Sequence, residues 1–309
     1  RANGSSDSND VTITAYDALG TAASSITVTS LEVGQRGDVT LNAQGQVIQN
    51  TGLLVADELS IVARGGLTLR TSVNTLSIRT QAAGDVSVTQ SGGKRLTLVN
   101  VVVNNGDLNV TADGTVELAD VTLTTDVDAN DVTIDTTGAA VGSGDILVRR
   151  LVFGDFIENA DGTLSRLEPQ MSGGNIVTDV NGNPVYDTVA IAAISSFGDV
   201  IFRAKGQIAE SFTDAALDIV ADTLDFTAET GVVGLEVSVN ALTRIETTSG
   251  DITIYESDRA PEQVLGLTAG SVKTSQTGGT QVIIQSENAL QVLASSVIRG
   301  DTIRLISTA

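Results

Sequence analysis

The chain has 309 residues, a formal net charge of −21, and neither Cys nor His. A disulfide framework, a zinc centre, a thiol nucleophile and histidine acid–base chemistry are thereby excluded within it. The acidic balance argues against nucleic acid and against an anionic membrane surface, and no apolar run approaches the roughly 20 residues of a membrane helix. Hydrophobic residues make up 41% and aromatics only 3%, which predicts a core of Val, Ile and Leu built from strands.

A short unit runs through the chain. It first appears as Asn9-Asp10-Val11-Thr12-Ile13 and returns as Gly37-Asp38-Val39-Thr40-Leu41. Further copies start at Gly84-Asp85, Gly106-Asp107, Asn130-Asp131 and Gly144-Asp145, then at Gly198-Asp199, Asp222-Thr223 and Gly250-Asp251. Each reads as a turn followed by a strand with one buried face. Gly supplies conformational freedom, Asp bonds nearby backbone amides, and an apolar-x-apolar triplet follows. The units from Gly84 to Gly106 and from Gly106 to Asn130 are 22 and 24 residues apart, about one coil of a solenoid.

A longer repeat lies above the coil. Gly37 to Val47 matches Gly198 to Ile208, Val55 to Leu59 matches Val220 to Leu224, and Ser72 to Leu76 matches Ser238 to Leu242, with offsets drifting only from 161 to 166 residues. A third copy is expected to begin near Val282 and Asp301, so the chain reads as a window on a longer array. The predicted fold is all-β: a right-handed parallel β-helix (β-solenoid) with a hairpin-like insertion, since parallel crossovers are nearly always right-handed. Residues 1–152 form the first set of coils, 153–190 a projecting insertion, and 191–309 the second set. The insertion holds Pro169, Met171 and Pro184, and Val177 to Tyr186 reads as a hairpin turning at Asn181-Gly182. Tyr255 to Gln263, with Pro261, reads as a shorter loop.

The Gly-Asp units and the run Val55 to Leu76, VADELSIVARGGLTLRTSVNTL, resemble the giant repetitive exoproteins of the filamentous-haemagglutinin type. The resemblance covers most of the chain outside the insertion. It implies a secreted bacterial β-helix on the cell surface, used as a stalk, fibre, sheath or delivery arm. It carries over no catalytic residue.

Candidate chemistry is sparse. Asp126, Asp128, Asn130 and Asp131 form one oxygen-rich cluster, and Asp179, Asn181 and Asn183 stand at alternate positions with Asp187 following, a spacing that suits calcium. The second has Pro184 where a calcium loop needs Gly, and it lacks the closing Glu. Solvated turns explain both. Asp218, Asp222 and Asp225 are the carboxylates a glycan-cleaving β-helix would use, but 218 and 225 sit between apolar neighbours as outward strand positions, and Trp is absent. Lys94-Arg95 and Arg149-Arg150 are basic pairs able to meet a neighbouring chain. Gly92-Gly93, Gly173-Gly174 and Gly278-Gly279 read as turns, not phosphate loops. No catalytic residue and no cofactor is expected, with calcium the one possible ion. The expected role is structural, with other repeats or copies of itself as partners. Adhesion to a surface ligand through the insertion is the alternative.

Overall fold

The computed structural model describes residues 9–16, 24–34, 36–124, 129–153, 197–214, 216–257, 267–275 and 278–308, together with the backbone of the strands between 156 and 190. The chain is all-β and coils as a parallel β-solenoid. Two long parallel sheets run along it. Successive coils place Val11–Ala15, Val39–Ala43, Glu58–Ala63, Thr75–Thr80, Leu96–Leu98, Val116–Leu118, Ile146–Val148, Ile208–Glu210, Val232–Ser238, Ile252–Glu256, Gln281–Ser286 and Thr302–Ser307 on the larger sheet. Between them the smaller sheet receives Leu31–Glu32, Leu54–Val55, Leu67–Ser72, Val86–Gln90, Leu108–Ala112, Val132–Asp135, Val200–Ala204, Thr223–Ala228, Ala241–Thr247, Leu267–Lys273 and Leu290–Val292, the last joined by Ile298–Arg299.

Alternation makes the core. Along Val39–Ala43 the residues Val39, Leu41 and Ala43 point inward and are at most 1% exposed. They stack in register on Leu59 and Ile61 of the next coil. The Leu59 row continues in register through Leu76, Leu98, Leu118 and Val148, each at most 1% exposed. Burying each such side chain contributes about 1.5–3 kcal/mol. The rows give one continuous core rather than separate domain cores. In some coils the larger-sheet side bends into two short strands, as in Leu96–Leu98 and Val101–Val103. Asn100 sits at that bend with φ 53°, a conformation Asn tolerates.

The Gly-Asp units build both sheets, and the long repeat does not return to the same one. Val39–Ala43 lies on the larger sheet, whereas its sequence match Val200–Ala204 lies on the smaller. Glu58–Ala63 and Thr75–Thr80 match Thr223–Ala228 and Ala241–Thr247 with the same exchange, and Val86–Gln90 matches Ile252–Glu256 with the reverse exchange. Five steps along the larger sheet lead from Val39–Ala43 to Ile146–Val148, and Val200–Ala204 follows half a coil later. The repeat therefore spans five and a half coils and carries a half-turn about the rod. This works because the two sheets present the same inward apolar-x-apolar pattern.

The insertion departs from parallel pairing. Phe156–Glu158, Leu164–Pro169 and Tyr186–Ala190 form an antiparallel three-stranded sheet, and Met171–Ser172 pairs antiparallel with Asn175–Ile176. The expected turn at Asn181-Gly182 lies outside the described residues. Phe153 and Phe197, both 0% exposed, bracket the insertion where the chain leaves and rejoins the coil. The rejoining is tight: a Cβ on Gly198 would lie 1.8 Å from the Asn130 carbonyl oxygen, so no larger residue fits there without backbone movement. In the later departure, Tyr255 and Glu256 continue the strand Ile252–Glu256 rather than opening a loop, while 258–266 lie outside the described residues.

Candidate functional site: a carboxylate cluster at a coil corner

The repeated Asp residues act between coils. The Oδ1 of Asp85 accepts the Asp107 amide at 3.1 Å, Asp107 accepts that of Asp131 at 3.0 Å, and Asp131 accepts that of Asp199 at 3.0 Å. Asp10 accepts the Asp38 amide, Asp145 that of Gln207 and Asp251 that of Gln281. The side chain was expected to bond its own turn. It instead reaches the equivalent position one coil on, because parallel stacking brings that amide within reach. Asn130, from the first calcium cluster, is 5% exposed and donates to Asn105 Oδ1 at 3.2 Å. These two members of that cluster are thus engaged in coil stacking. Asp126, Asp128, Asp179, Asn181 and Asn183 lie outside the described residues, and Asp187 pairs by its backbone with Glu168 in the antiparallel sheet.

The three glycan-site candidates separate. Asp225 is half-buried on the outer face, 2.9 Å from Arg203 and 2.7 Å from Arg244. Burial alone would raise its pKa, but Arg244 and Arg203 together hold the carboxyl below its ordinary value. Asp222 accepts Asn240 Nδ2 at 2.6 Å at a corner. Asp218 is not an outward position: it is 3% exposed, in a run where Leu217, Ile219, Val220 and Ala221 are buried as well. The chain rounds a corner there, so alternation fails.

Asp218 meets two acids that single-sequence reading passed over. One oxygen each of Glu210, Asp218 and Glu236 lie within 4.8 Å of one another. Glu210 closes the strand Ile208–Glu210, Asp218 precedes Ile219–Val220, and Glu236 lies in Val232–Ser238. The Glu236 amide donates to Asp218 Oδ2 at 3.0 Å, and the Asp218 amide donates to the Glu236 carbonyl at 2.8 Å. Glu236 Oε2 is buried without a hydrogen-bond partner. Burial pushes Asp218 up to about 8, despite the Glu236 amide and with help from the Glu236 and Glu210 charges. Burial and the Glu210 charge also raise Glu236. At neutral pH the cluster therefore holds a proton. Glu256, 2% exposed, is a second buried acid and accepts Ser286 Oγ at 2.6 Å.

Most of the remaining motifs find partners within the chain, while Gly173-Gly174 lies outside the described residues. Arg150 pairs with Asp120 at 2.6 Å, Arg95 with Glu117 at 2.6 Å, and Arg149 lies over the Phe212 ring at 5.9 Å. The Gly92 and Gly93 amides grip Asp113 of the next coil at 2.9 and 2.8 Å, and the Gly279 amide donates to Asp301 at 2.7 Å. These glycine turns bind an anion after all, and that anion is a side chain of this protein.

No protein-family model, no curated protein and no solved structure matches this chain. Among the described residues the polar groups that sequence singled out serve mainly to lock one coil onto the next.

Proposed function

We propose that the chain is a non-catalytic structural segment of a giant extracellular surface protein, forming a stiff rod in a fibre, sheath or adhesin stalk. The observation that carries this reading is the continuity of coil-to-coil locking. In-register apolar rows fill the inside, and side-chain carboxylates bond the amides of the next coil at the corners. A rod fixed in this way resists bending and local opening, because each coil is held by neighbours on both sides. Its outward strand positions are mostly Thr, Ser, Asn, Asp and paired charges. That surface suits solvent and lateral contacts better than a catalytic pocket. The resemblance to filamentous-haemagglutinin-type exoproteins supports a bacterial cell-surface location.

A second reading is an adhesion module whose insertion contacts a surface ligand. It is favoured by the antiparallel sheet within 156–190, which pairs only with itself among the described residues. One experiment separates the two. Cells making the protein, intact or lacking 156–190, are labelled for the rod, viewed by electron microscopy and assayed for adhesion. The structural reading predicts surface label along fibres or a layer, with both fibres and adhesion surviving the deletion. Lost adhesion with intact fibres would favour the binding module. Label confined to the cell interior would overturn both.

A further inference from the structure

Three carboxyl groups meet where little backbone holds one coil to the next. The strand Ile219–Val220 has two residues, paired with Leu151–Val152 of the preceding coil and Val237–Ser238 of the following one. It covers Leu151–Phe153, the strand from which the insertion leaves. Asp218 stands at its start, and Glu236 lies opposite on the following coil, joined to it by two hydrogen bonds. Glu210 completes the triangle from the same coil as Asp218. Among the described residues no cation is turned to these three. Arg150, on the preceding coil, lies beside Asp218, since the Leu151 amide donates to the Asp218 carbonyl at 2.7 Å, but its guanidinium pairs with Asp120. Arg149 lies over the Phe212 ring, and Arg95 pairs with Glu117, which also accepts Ser211 Oγ. Asp214 adds a further negative charge near Glu236 and gives its amide to Glu210 Oε1 at 2.8 Å. The in-register neighbour of Glu236 on the next coil is Tyr255.

Carboxylates whose oxygens lie within 4.8 Å of one another, one of them buried without a partner, cannot all ionise in place. We infer that this corner is a proton-operated latch. While Glu210, Asp218 and Glu236 share a proton, the strand Ile219–Val220 stays docked on Val232–Ser238; loss of that proton lets the strand detach and uncovers Leu151–Phe153. Docking buries Leu217, Ile219 and Val220, and that burial keeps the corner shut while the proton is present. The closed corner binds a proton that the open, solvated one gives up. The equilibrium constant for opening therefore rises about tenfold per pH unit above the ordinary carboxylate range. It levels off at about pH 8, where Asp218 gives up its proton in the closed state as well. The rod as a whole stays intact, because the long strands on the smaller sheet, Val200–Ala204 and Thr223–Ala228, pair independently of this corner.

The test is hydrogen exchange of the 309-residue chain, read by mass spectrometry in buffer free of divalent cations and corrected for the intrinsic rate, from about pH 5 to about pH 9.5. Peptides covering Leu217 to Ala221 and Val232 to Ser238 are expected to exchange faster than those covering Val86–Gln90 and Leu108–Ala112. Their opening constant should climb about tenfold per pH unit and flatten at about pH 8. Asp218→Asn with Glu236→Gln keeps the acceptors and removes the ionisation, and circular dichroism checks that this variant folds. Its corner should stay shut across the whole range. Glu210→Gln keeps the oxygen that accepts the Asp214 amide and covers the case in which the double variant does not fold. Losing the Glu210 charge should move the plateau to lower pH and reduce the opening reached there. Corner peptides that exchange together with the reference strands at every pH would overturn the latch. So would either variant opening with the wild-type pH profile.

Discussion

Asp218 is the residue whose chemistry differs most from its ordinary behaviour. The folded protein keeps it protonated up to about pH 8, whereas an exposed Asp loses its proton near 3.8. Between those values the native state binds more protons than the unfolded chain, so this group makes stability fall as pH rises from about 4 to about 8. Glu236, raised for the same reasons, acts in the same direction. Asp218→Asn removes the ionisation while keeping an acceptor for the Glu236 amide. We expect it to raise the melting temperature by several degrees at pH 8.5 and to change it little at pH 4, as measured by thermal denaturation across that range. An equal effect at both pH values would refute the assignment. The cluster was not legible in the sequence. Glu210, Asp218 and Glu236 come from three separate segments, and the alternation that placed 218 outside holds along strands but not around a corner.

At the scale of the coil, the Gly-Asp unit does two jobs, of which the sequence showed one. The apolar-x-apolar strand was legible, since period-2 alternation reports a half-buried strand directly. The reach of the Asp side chain was not, because a single unit cannot show which amide lies above it. Asp131 illustrates the consequence. It joins the coil before the insertion to the coil after it, bonding the Asp199 amide across 68 residues of chain. Asp131→Ala leaves that half-buried amide without its acceptor and is expected to cost about 1–3 kcal/mol in chemical denaturation. Asp131→Asn keeps a carbonyl oxygen in place and removes one of a row of like charges, so it should lie within about 0.5 kcal/mol of the wild type. If Ala and Asn were equally destabilising, charge rather than the cross-coil bond would be the cause.

At the scale of the whole molecule, the long repeat was visible as sequence but its geometry was not. Val39 and Leu41 match Val200 and Phe202 because both pairs fill the core, and a core position carries no mark of which sheet it came from. Only the strand pairing shows that the repeat advances by five and a half coils. The insertion was likewise legible as a break in rhythm, from Pro169, Met171 and Pro184, while its antiparallel pairing required the structure. The absence of native cysteine allows a direct test of the half-turn. Ile201 is the in-register neighbour of Thr133 on the smaller sheet, and neighbouring strands lie close enough for a disulfide. A repeat of whole coils would instead set Ile201 beside Leu147 on the larger sheet. The measurement is disulfide formation under mild oxidation, read by mass spectrometry of peptides, in Thr133→Cys/Ile201→Cys and in Leu147→Cys/Ile201→Cys. The half-turn predicts ready cross-linking of the first pair and none of the second; cross-linking of the second pair alone would contradict it.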